Sequence, residues 1–338
     1  MTIKNIPPHI DSKIGKNLHL QANHPINIIY RKIAKLFPSF HCVDSLSPIV
    51  TTENNFDLLR IPVDHPSRRT TDTYYADERH VLRTHTSAHQ IPLLREGRQE
   101  FLVCGDVYRK DDIDATHYPV FHQLEGVRLC ENPAEELKET LSRVIKELFN
   151  AEYRFKEDYF PFTHPSWEVE VNFEGRWLEI LGCGVIHPEV LTNAGIQNRT
   201  GWAFGLGLER LAMILFKIPD IRYFWSEDRR FLDQFQDGKV SVFKPYSKCP
   251  PCYKDTAFWL TPNFNEHEML DLIRNFGGNL IENVNLIDHF EDTKRQRASN
   301  CYRIVYRDFD RTLTNEEINL LNNQIREAIS KNFGVTLR

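Results

Sequence analysis

Apolar residues recur at helical spacing in some stretches and alternate in others, and these two rhythms divide the chain. Ile26, Ile29, Tyr30, Ile33, Leu36 and Phe37 follow Pro25 at helical spacing. They predict a helix capped by Asn23 or His24 and closed by Pro38. Pro48 opens a β-branched run from Ile49 to Thr52, Leu82 and Arg83 end a short strand, and Thr86 or Ser87 caps the helix expected next. Phe101 to Arg109 reads as a buried strand, Lys110 to Tyr118 as a polar loop and Val120 to Leu129 as a returning strand, together a long antiparallel hairpin. Asn132-Pro133 with Glu135 and Glu136 starts a helix whose stripe is Leu137, Leu141, Val144, Leu148 and Phe149. Trp167 to Phe173 alternates, turns at Glu174-Gly175 and pairs back through Trp177 to Leu181. Gly201 to Gly207 is a glycine-interrupted strand running into a helix from Leu208 to Phe216.

From Gln236 to Pro251 the pattern loosens around Gly238, Pro245, Pro250 and Pro251. Beyond it come a strand (Thr256 to Leu260), a helix (Asn265 to Phe276), strands near 280–290 and 300–307, a helix (Asn315 to Asn332) and a short final strand. That βαββαβ order predicts a ferredoxin-like unit. The expected division is a larger domain over 1–240, a linker over 241–246 and a smaller domain over 247–338.

Composition narrows the choices modestly. Hydrophobic residues make up 41% and charged residues 26%, ordinary values for a soluble protein, and no apolar run reaches membrane-spanning length, so no membrane partner is expected. The net charge of −5 means that any surface for a polyanion must be a local basic patch. Seven scattered cysteines do not form a disulfide framework, which favours a reducing compartment. Cys249-Pro250-Pro251-Cys252 lacks the second ligand pair that structural zinc requires. Lys4, Lys13 and Lys16 without arginine or amphipathic spacing make a poor transit peptide.

Neither a GxxxxGK[ST] loop nor a GxGxxG turn is present, so a Rossmann-type nucleotide site is not expected. The chemistry concentrates on the hairpin. Arg109 ends its first strand, Asp111, Asp112, Asp114 and His117 occupy the loop, and Gln123 and Glu125, two apart, share one face of the return. That face is either a solvated exterior or a site for a phosphate and an amino group. Gly-Leu-Gly-Leu-Glu-Arg at 205–210 lets a flat ligand approach the backbone through Gly205 and Gly207, beside a helix N-terminus and Arg210. Alone, the same glycines mark a turn.

Taken together, Arg109 with its acidic loop and the 205–210 string resemble motifs 2 and 3 of class II aminoacyl-tRNA synthetases, and the helix from Ile26 with Pro48 resembles motif 1. His85-Thr86-Ser87-Ala88-His89-Gln90, Asp114-Ala115-Thr116-His117, Phe121-His122-Gln123-Leu124-Glu125-Gly126 and Phe160-Pro161-Phe162 narrow the likeness to phenylalanyl-tRNA synthetases, most closely the single-chain mitochondrial type. The resemblance runs from about Asn17 to Arg338. It implies an α+β fold, with a class II antiparallel sheet flanked by helices and a C-terminal ferredoxin-like anticodon-binding domain. It also implies ATP and Mg2+, phenylalanine and tRNA(Phe) as partners, a monomer, and the mitochondrial matrix.

The roles implied by the resemblance fall on particular residues. Arg109 and Arg210 would be catalytic, holding the α- and γ-phosphates. His85, Ser87, Gln90, Gln123 and Glu125 would grip the polar end of the amino acid; Phe160, Phe162 and Ala203 would enclose its ring. Asp111, His117, Phe121, Gly205 and Gly207 would line the ATP site. Glu179 would be either a metal-facing carboxylate or the partner of a nearby arginine. The family's arginine–x–glutamate reads Arg109-Lys110-Asp111 here, which puts an adenine contact by the shorter Asp111 in question. The segment between Leu129 and Tyr153 is also short for an organellar member. In the smaller domain Lys294, Arg295, Arg297 and Arg303, with Arg307 and Arg311 and the interleaved Tyr302 and Tyr306, would meet tRNA; a charged strand edge gives the same pattern. No stretch is left for an editing domain, so the pocket itself must refuse tyrosine. The competing expectations are a non-catalytic paralogue and a class II enzyme for another amino acid.

Overall fold

The computed structural model describes residues 4–246 and 248–338. Its strands are β1 (His41–Val43), β2 (Ile49–Thr51), β3 (His80–Leu82), β4 (Glu100–Tyr108), β5 (Val120–Leu129), β6 (Tyr153–Phe160), β7 (Thr163–Phe173), β8 (Arg176–Ile186), β9 (Gly201–Gly207), β10 (Cys252–Trp259), β11 (Ile281–Asp292), β12 (Arg297–Tyr306) and β13 (Thr336–Leu337). A seven-stranded sheet runs β1-β4-β5-β9-β8-β7-β6, with β2 and β3 paired beside it. Every pairing in the large sheet is antiparallel except β1 with β4.

Period-two alternation divides the core between the two faces of this sheet. On β4, Leu102 and Cys104 join one buried cluster while Phe101 and Val103 join the other. The first cluster is covered by the helices Pro25–Ala34, Pro133–Phe149 and Leu208–Phe216. Short elements cover the second face: a 3-10 turn at Thr86–His89 and the helices Gln90–Arg95 and Pro188–Asn193. On that lightly covered face the sheet leaves an open cleft.

The helix from Pro25 stops at Ala34 rather than Phe37, since Leu36 and Phe37 continue in a turn. Seven of its ten residues are buried, Pro25 to Tyr30 and Ile33, so the chain covers this helix itself. Two strands go beyond what periodicity showed. β1 is three residues long, too short to display a period. β6 is an edge strand whose Arg154, Lys156, Glu157 and Asp158 leave little apolar face to detect.

The four-stranded sheet has the order β11-β12-β10-β13, backed by the helices Glu266–Gly277 and Asn315–Phe333. This is the predicted ferredoxin-like arrangement. Before it, residues 237–246 have no helix or strand, yet Phe243 is buried among Tyr223, Phe231 and Tyr246 and its N–H donates to Phe216 O at 2.6 Å.

The two sheets meet through the polar loop of the β4–β5 hairpin. Ile113, at its tip, is buried in the hydrophobic cluster of the smaller unit. Around it Val284 N–H donates to Ile113 O at 3.0 Å, Arg274 Nη2 to Asp112 O at 3.0 Å, and Tyr118 Oη to Asn279 Oδ1 at 2.8 Å.

Candidate active site

Register builds the inner end of the cleft. Gln123 and Glu125 on β5 lie opposite Gly207 and Gly205 on β9, so the neighbouring strand places no side chain over them. A Cβ at either glycine would meet nothing within 4 Å, so protein packing does not require glycine there; the space is left to a ligand. Glu125 is buried, and its Oε2 accepts Ser87 Oγ at 2.5 Å and Thr86 Oγ1 at 3.2 Å. Its Oε1 is buried without a hydrogen-bond partner among the described residues. Burial pushes this carboxyl up to about 7 against the pull of the two hydroxyl donors. Gln123 Oε1 accepts Thr86 N–H at 3.2 Å, which ties the 3-10 turn to the strand.

His85 faces the same space with both ring nitrogens buried and unpartnered among the described residues. Burial and the nearby Arg109 charge lower its pKa to about 3, so it is a neutral imidazole at working pH. Apolar walls complete this end. Phe160 and Phe162 lie with ring centroids 5.9 Å apart, and Phe162 is 6.2 Å from the His85 ring. Gly182 lies under Phe160, where an added Cβ would come within 2.8 Å of the ring. Ala203 and the buried Gln90 line the same cavity of about 750 Å³, within the range of small-molecule sites.

The outer end is cationic and more open. Arg109 follows β4; its Nε donates to Thr84 O at 2.8 Å and its guanidinium carbon stands 5.2 Å from the Phe121 ring centre. Its two terminal amino groups make no hydrogen bond among the described residues and face the cleft with Asp111 and Phe121. Asp114 accepts the N–H groups of Thr116 and His117 at 2.6 and 2.8 Å and holds His117 Nδ1 at 2.7 Å. Arg210 enters from the helix Leu208–Phe216, half-exposed, with Nη1 donating to Glu179 O at 3.1 Å and 3.7 Å from Glu179 Oε2. Behind it the buried Glu209 accepts both His122 N–H and His122 Nδ1 at 2.7 Å, binding the helix Leu208–Phe216 to the hairpin's return strand.

Of the two expectations for Glu179, the arginine contact is present. Beside it the Glu168 carboxyl is raised by burial and by the Glu179 charge. Among the described residues no three His, Cys, Asp or Glu side chains stand together as a metal cage. Glu168 is held by Lys156 at 3.3 Å, whereas Glu179 lines the cleft and suits magnesium, which is typically held by one or two carboxylates together with substrate phosphates.

In the smaller unit the basic cluster expected from sequence divides. Lys294, Arg295 and Arg297 lie at the β11–β12 turn and Arg303 lies mid-strand, paired with Asp255 at 2.8 Å. Arg307 and Arg311 lie at the other end of β12 and beyond, held by Glu282 at 3.3 Å and Glu317 at 2.7 Å. Tyr302 and Tyr306 do not form a stacking surface: with Ile304 they face the helices, buried, because alternate residues of β12 point inward. The outward aromatics are Tyr253 and Trp259 on β10 and Phe290 on β11. Arg303 lies over Tyr253 at 4.2 Å, Arg297 over Trp259 at 3.6 Å and Arg338 over Phe290 at 5.1 Å.

Sequence reasoning passed over Thr86, which it read as a cap but which donates to both Gln123 and Glu125. Its position inside the string His85 to Gln90 was the available signal. The His122–Glu209 pair had none, since 87 residues separate its members.

Comparison with known proteins follows this geometry closely. Residues 9–235 match the family described as tRNA synthetases class II core domain (F), and residues 247–338 match the ferredoxin-fold anticodon binding domain. The chain is 49% identical to a chloroplastic/mitochondrial phenylalanine–tRNA ligase of Arabidopsis thaliana, over 99% of this chain and 82% of that protein. It is 46% identical to the mitochondrial phenylalanine–tRNA ligase of Mus musculus (98% and 85% covered). Against that of Saccharomyces cerevisiae it is 37% identical (99% and 92% covered).

Proposed function

Because the chain belongs to the phenylalanine–tRNA ligases of class II, we propose that its cleft activates phenylalanine with ATP and passes it to the terminal ribose of tRNA(Phe). One observation carries the assignment of the inner end. Glu125 offers a buried, unpartnered carboxylate oxygen next to apolar walls formed by Phe160, Phe162 and Ala203. That arrangement suits an ammonium group attached to an apolar side chain, since a buried charge is tolerated only when paired. Ser87 and Thr86 orient Glu125, while Gln123, Gln90 and the neutral His85 serve the remaining polar atoms of the substrate.

In the first step the phenylalanine carboxylate attacks the α-phosphorus of ATP. A new carboxyl–phosphate bond forms and the bond to pyrophosphate breaks. A carboxylate is already nucleophilic at neutral pH, so the enzyme's task is positioning and charge neutralisation. Arg109, with its terminal amino groups facing the cleft, holds the α-phosphate and substrate carboxylate; Arg210 holds the γ-phosphate, and His117, fixed by Asp114, contacts the phosphates. Phe121 stacks on adenine, with room left by Gly205 and Gly207, while Asp111 lies at the rim. Glu179 would hold magnesium together with the phosphates, and the ion would supply further charge neutralisation. In the second step the ribose hydroxyl attacks the adenylate carbonyl and AMP leaves.

The outward face of the smaller sheet, with Tyr253, Trp259 and Phe290 beside Arg297 and Arg303 and near the turn residues Lys294 and Arg295, serves the tRNA through stacking and phosphate contacts. Burial of the Pro25–Ala34 helix within the chain supports a monomer. The organellar names of the relatives support action in the mitochondrial matrix. No helix among the described residues is long and apolar enough to cross a membrane.

The decisive test is amino-acid-dependent ATP–pyrophosphate exchange with each of the twenty amino acids, without tRNA. Phenylalanine should support exchange strongly and tyrosine about a hundredfold less, the usual limit for an apolar pocket facing an added hydroxyl. Exchange with no amino acid, from folded protein that binds ATP, would identify a non-catalytic paralogue.

A further inference from the structure

Phe162 occupies a position that its own hairpin does little to fix. Phe160 pairs with Thr163, so Pro161 and Phe162 form a two-residue turn between β6 and β7. The β6–β7 ladder shifts register between Asp158 and Phe160, and the pairing of β7 with β8 shifts between Thr163 and Ser166. Turn residues have no ladder partners, and Pro161 has no N–H, so its carbonyl is the only hydrogen-bonding group its own backbone offers.

Both carbonyls of the turn are held from outside the hairpin. His187 N–H donates to Phe162 O at 2.9 Å. Arg60 Nη1 donates to Pro161 O at 2.6 Å, while Arg60 Nε donates to Glu189 Oε2 at 2.8 Å. Arg60 has φ of 61°, a left-handed conformation that costs a non-glycine residue energy and persists only where the surroundings require it. Asn193 Nδ2 donates to Leu58 O at 3.0 Å, so the helix carrying Glu189 and the turn carrying Arg60 are also joined to each other. Arg60 does not line the cavity, whereas its neighbour Ile61 and the two phenylalanines do.

We propose that Arg60, oriented by Glu189, is a positioning residue for amino-acid specificity: it anchors the Pro161–Phe162 turn and thereby fixes how closely Phe160 and Phe162 enclose the substrate ring. The inference rests on the phenylalanine-activating reading of the cleft. A charge-assisted bond to an otherwise unheld carbonyl is among the stronger hydrogen bonds a protein makes. Removing it lets the turn drift, so the ring pocket widens while the nucleotide end of the cleft keeps its geometry.

The test compares wild-type enzyme with Arg60→Gly, Arg60→Lys and Glu189→Gln in ATP–pyrophosphate exchange with phenylalanine and tyrosine. Glycine suits the positive φ, so Arg60→Gly removes the guanidinium without adding backbone strain. Its KM for phenylalanine should rise about tenfold and its preference for phenylalanine over tyrosine fall about tenfold, with the KM for ATP within about twofold of wild type. Arg60→Lys should recover part of the preference through a single donor to Pro161 O, and Glu189→Gln should shift it less, in the same direction. An unchanged preference in folded Arg60→Gly overturns the proposal, as do KM values for ATP and phenylalanine that rise together. If Arg60→Gly does not fold, Glu189→Gln is judged by the same two criteria. Wild-type enzyme that fails to exchange with phenylalanine removes the underlying reading and this proposal with it, a result already distinct before any variant is compared.

Discussion

The two ends of the cleft are built in different ways. Around Glu125 the side-chain hydrogen bonds among the described residues come from the short turn packed on the large sheet, the groups are buried, and polar atoms are held ready for a partner. Around Arg109 and His117 the loop is polar and partly exposed, and its tip is seated in another hydrophobic core: Ile113 sits in the cluster of the smaller unit. The end proposed to recognise the amino acid is therefore built within the larger unit, while the end proposed to hold the nucleotide takes part of its shape from the smaller unit. Disturbing the second unit should reach ATP before it reaches phenylalanine.

The largest effect should come from the residue joining the two ends. Arg109→Ala removes the group proposed to hold both the α-phosphate and the amino-acid carboxylate, and exchange activity should fall about a thousandfold. The loss should appear in kcat, because that charge matters most in the transition state. A loss confined to the KM for ATP would detach Arg109 from the amino-acid end.

Glu125→Gln should act on one end only. It removes the charge opposite the ammonium group and should raise the KM for phenylalanine about a hundredfold, with the KM for ATP unchanged. Proton linkage gives a second reading of the same group. In the free enzyme this carboxyl is pushed up to about 7 from its usual 4.5, so it still carries a proton at pH 6. The substrate's ammonium group requires the charged form. Phenylalanine should therefore bind more tightly as pH rises towards 7, and calorimetry in buffers of differing ionisation enthalpy should record about one proton released at pH 6 and almost none at pH 8. The ligand-free protein has the opposite sign. A carboxyl whose folded value lies above its unfolded one favours the fold while protonated, so that contribution is lost as pH rises through about 7. Buffer-independent heats at pH 6 would mean that Glu125 is already charged or is not the ammonium partner.

At the other end, Ile113→Ala should raise the KM for ATP several-fold and leave that for phenylalanine unchanged, since the truncated side chain no longer fills its place in the neighbouring core. Equal changes in both constants would show that the two ends are not separable.

The same contrast governs what could be read from the sequence. The β5 strand, the helices Pro133–Phe149 and Leu208–Phe216, and the grouping of Gln123 with Glu125 were legible because each depends on spacing within one short stretch. Strand β6 was not, because an edge strand carrying Arg154, Lys156, Glu157 and Asp158 has little apolar alternation to detect. The loop Lys110–Tyr118 was correctly read as irregular, but its polarity concealed the seat of Ile113, a contact made with chain more than a hundred residues away. The charged neighbours of Tyr302 and Tyr306 suggest an outward face, but the alternation of β12 from Asn300 to Tyr306 turns both tyrosines inward. Arg60 carried no motif at all, and its importance arises only where three distant segments converge.

The smallest expected effect weighs the seated loop against the exposed Arg230–Asp310 pair, two of the contacts that join the units alongside Arg222, whose Nη1 donates to Asn279 O at 2.8 Å, and the Tyr223–Phe309 stack. Arg230 Nη2 lies 2.6 Å from Asp310, a close ion pair, but both side chains are about half-exposed, at 52% and 55%. Arg230 is also held by Asp228 at 2.5 Å, so losing Asp310 would leave the guanidinium paired. Exposed pairs of this kind are screened by salt and add little. Asp310→Asn should therefore change the KM for ATP by about twofold or less, and small-angle scattering of the wild-type protein should show the same dimensions at low and high salt. Ile113→Ala should instead produce a more extended particle at either ionic strength, because apolar seating is insensitive to screening. If salt alone separates the two units, charge rather than the buried loop tip holds the nucleotide end in place, and the contrast between the two ends of the cleft would have to be redrawn around Arg230 and Asp310.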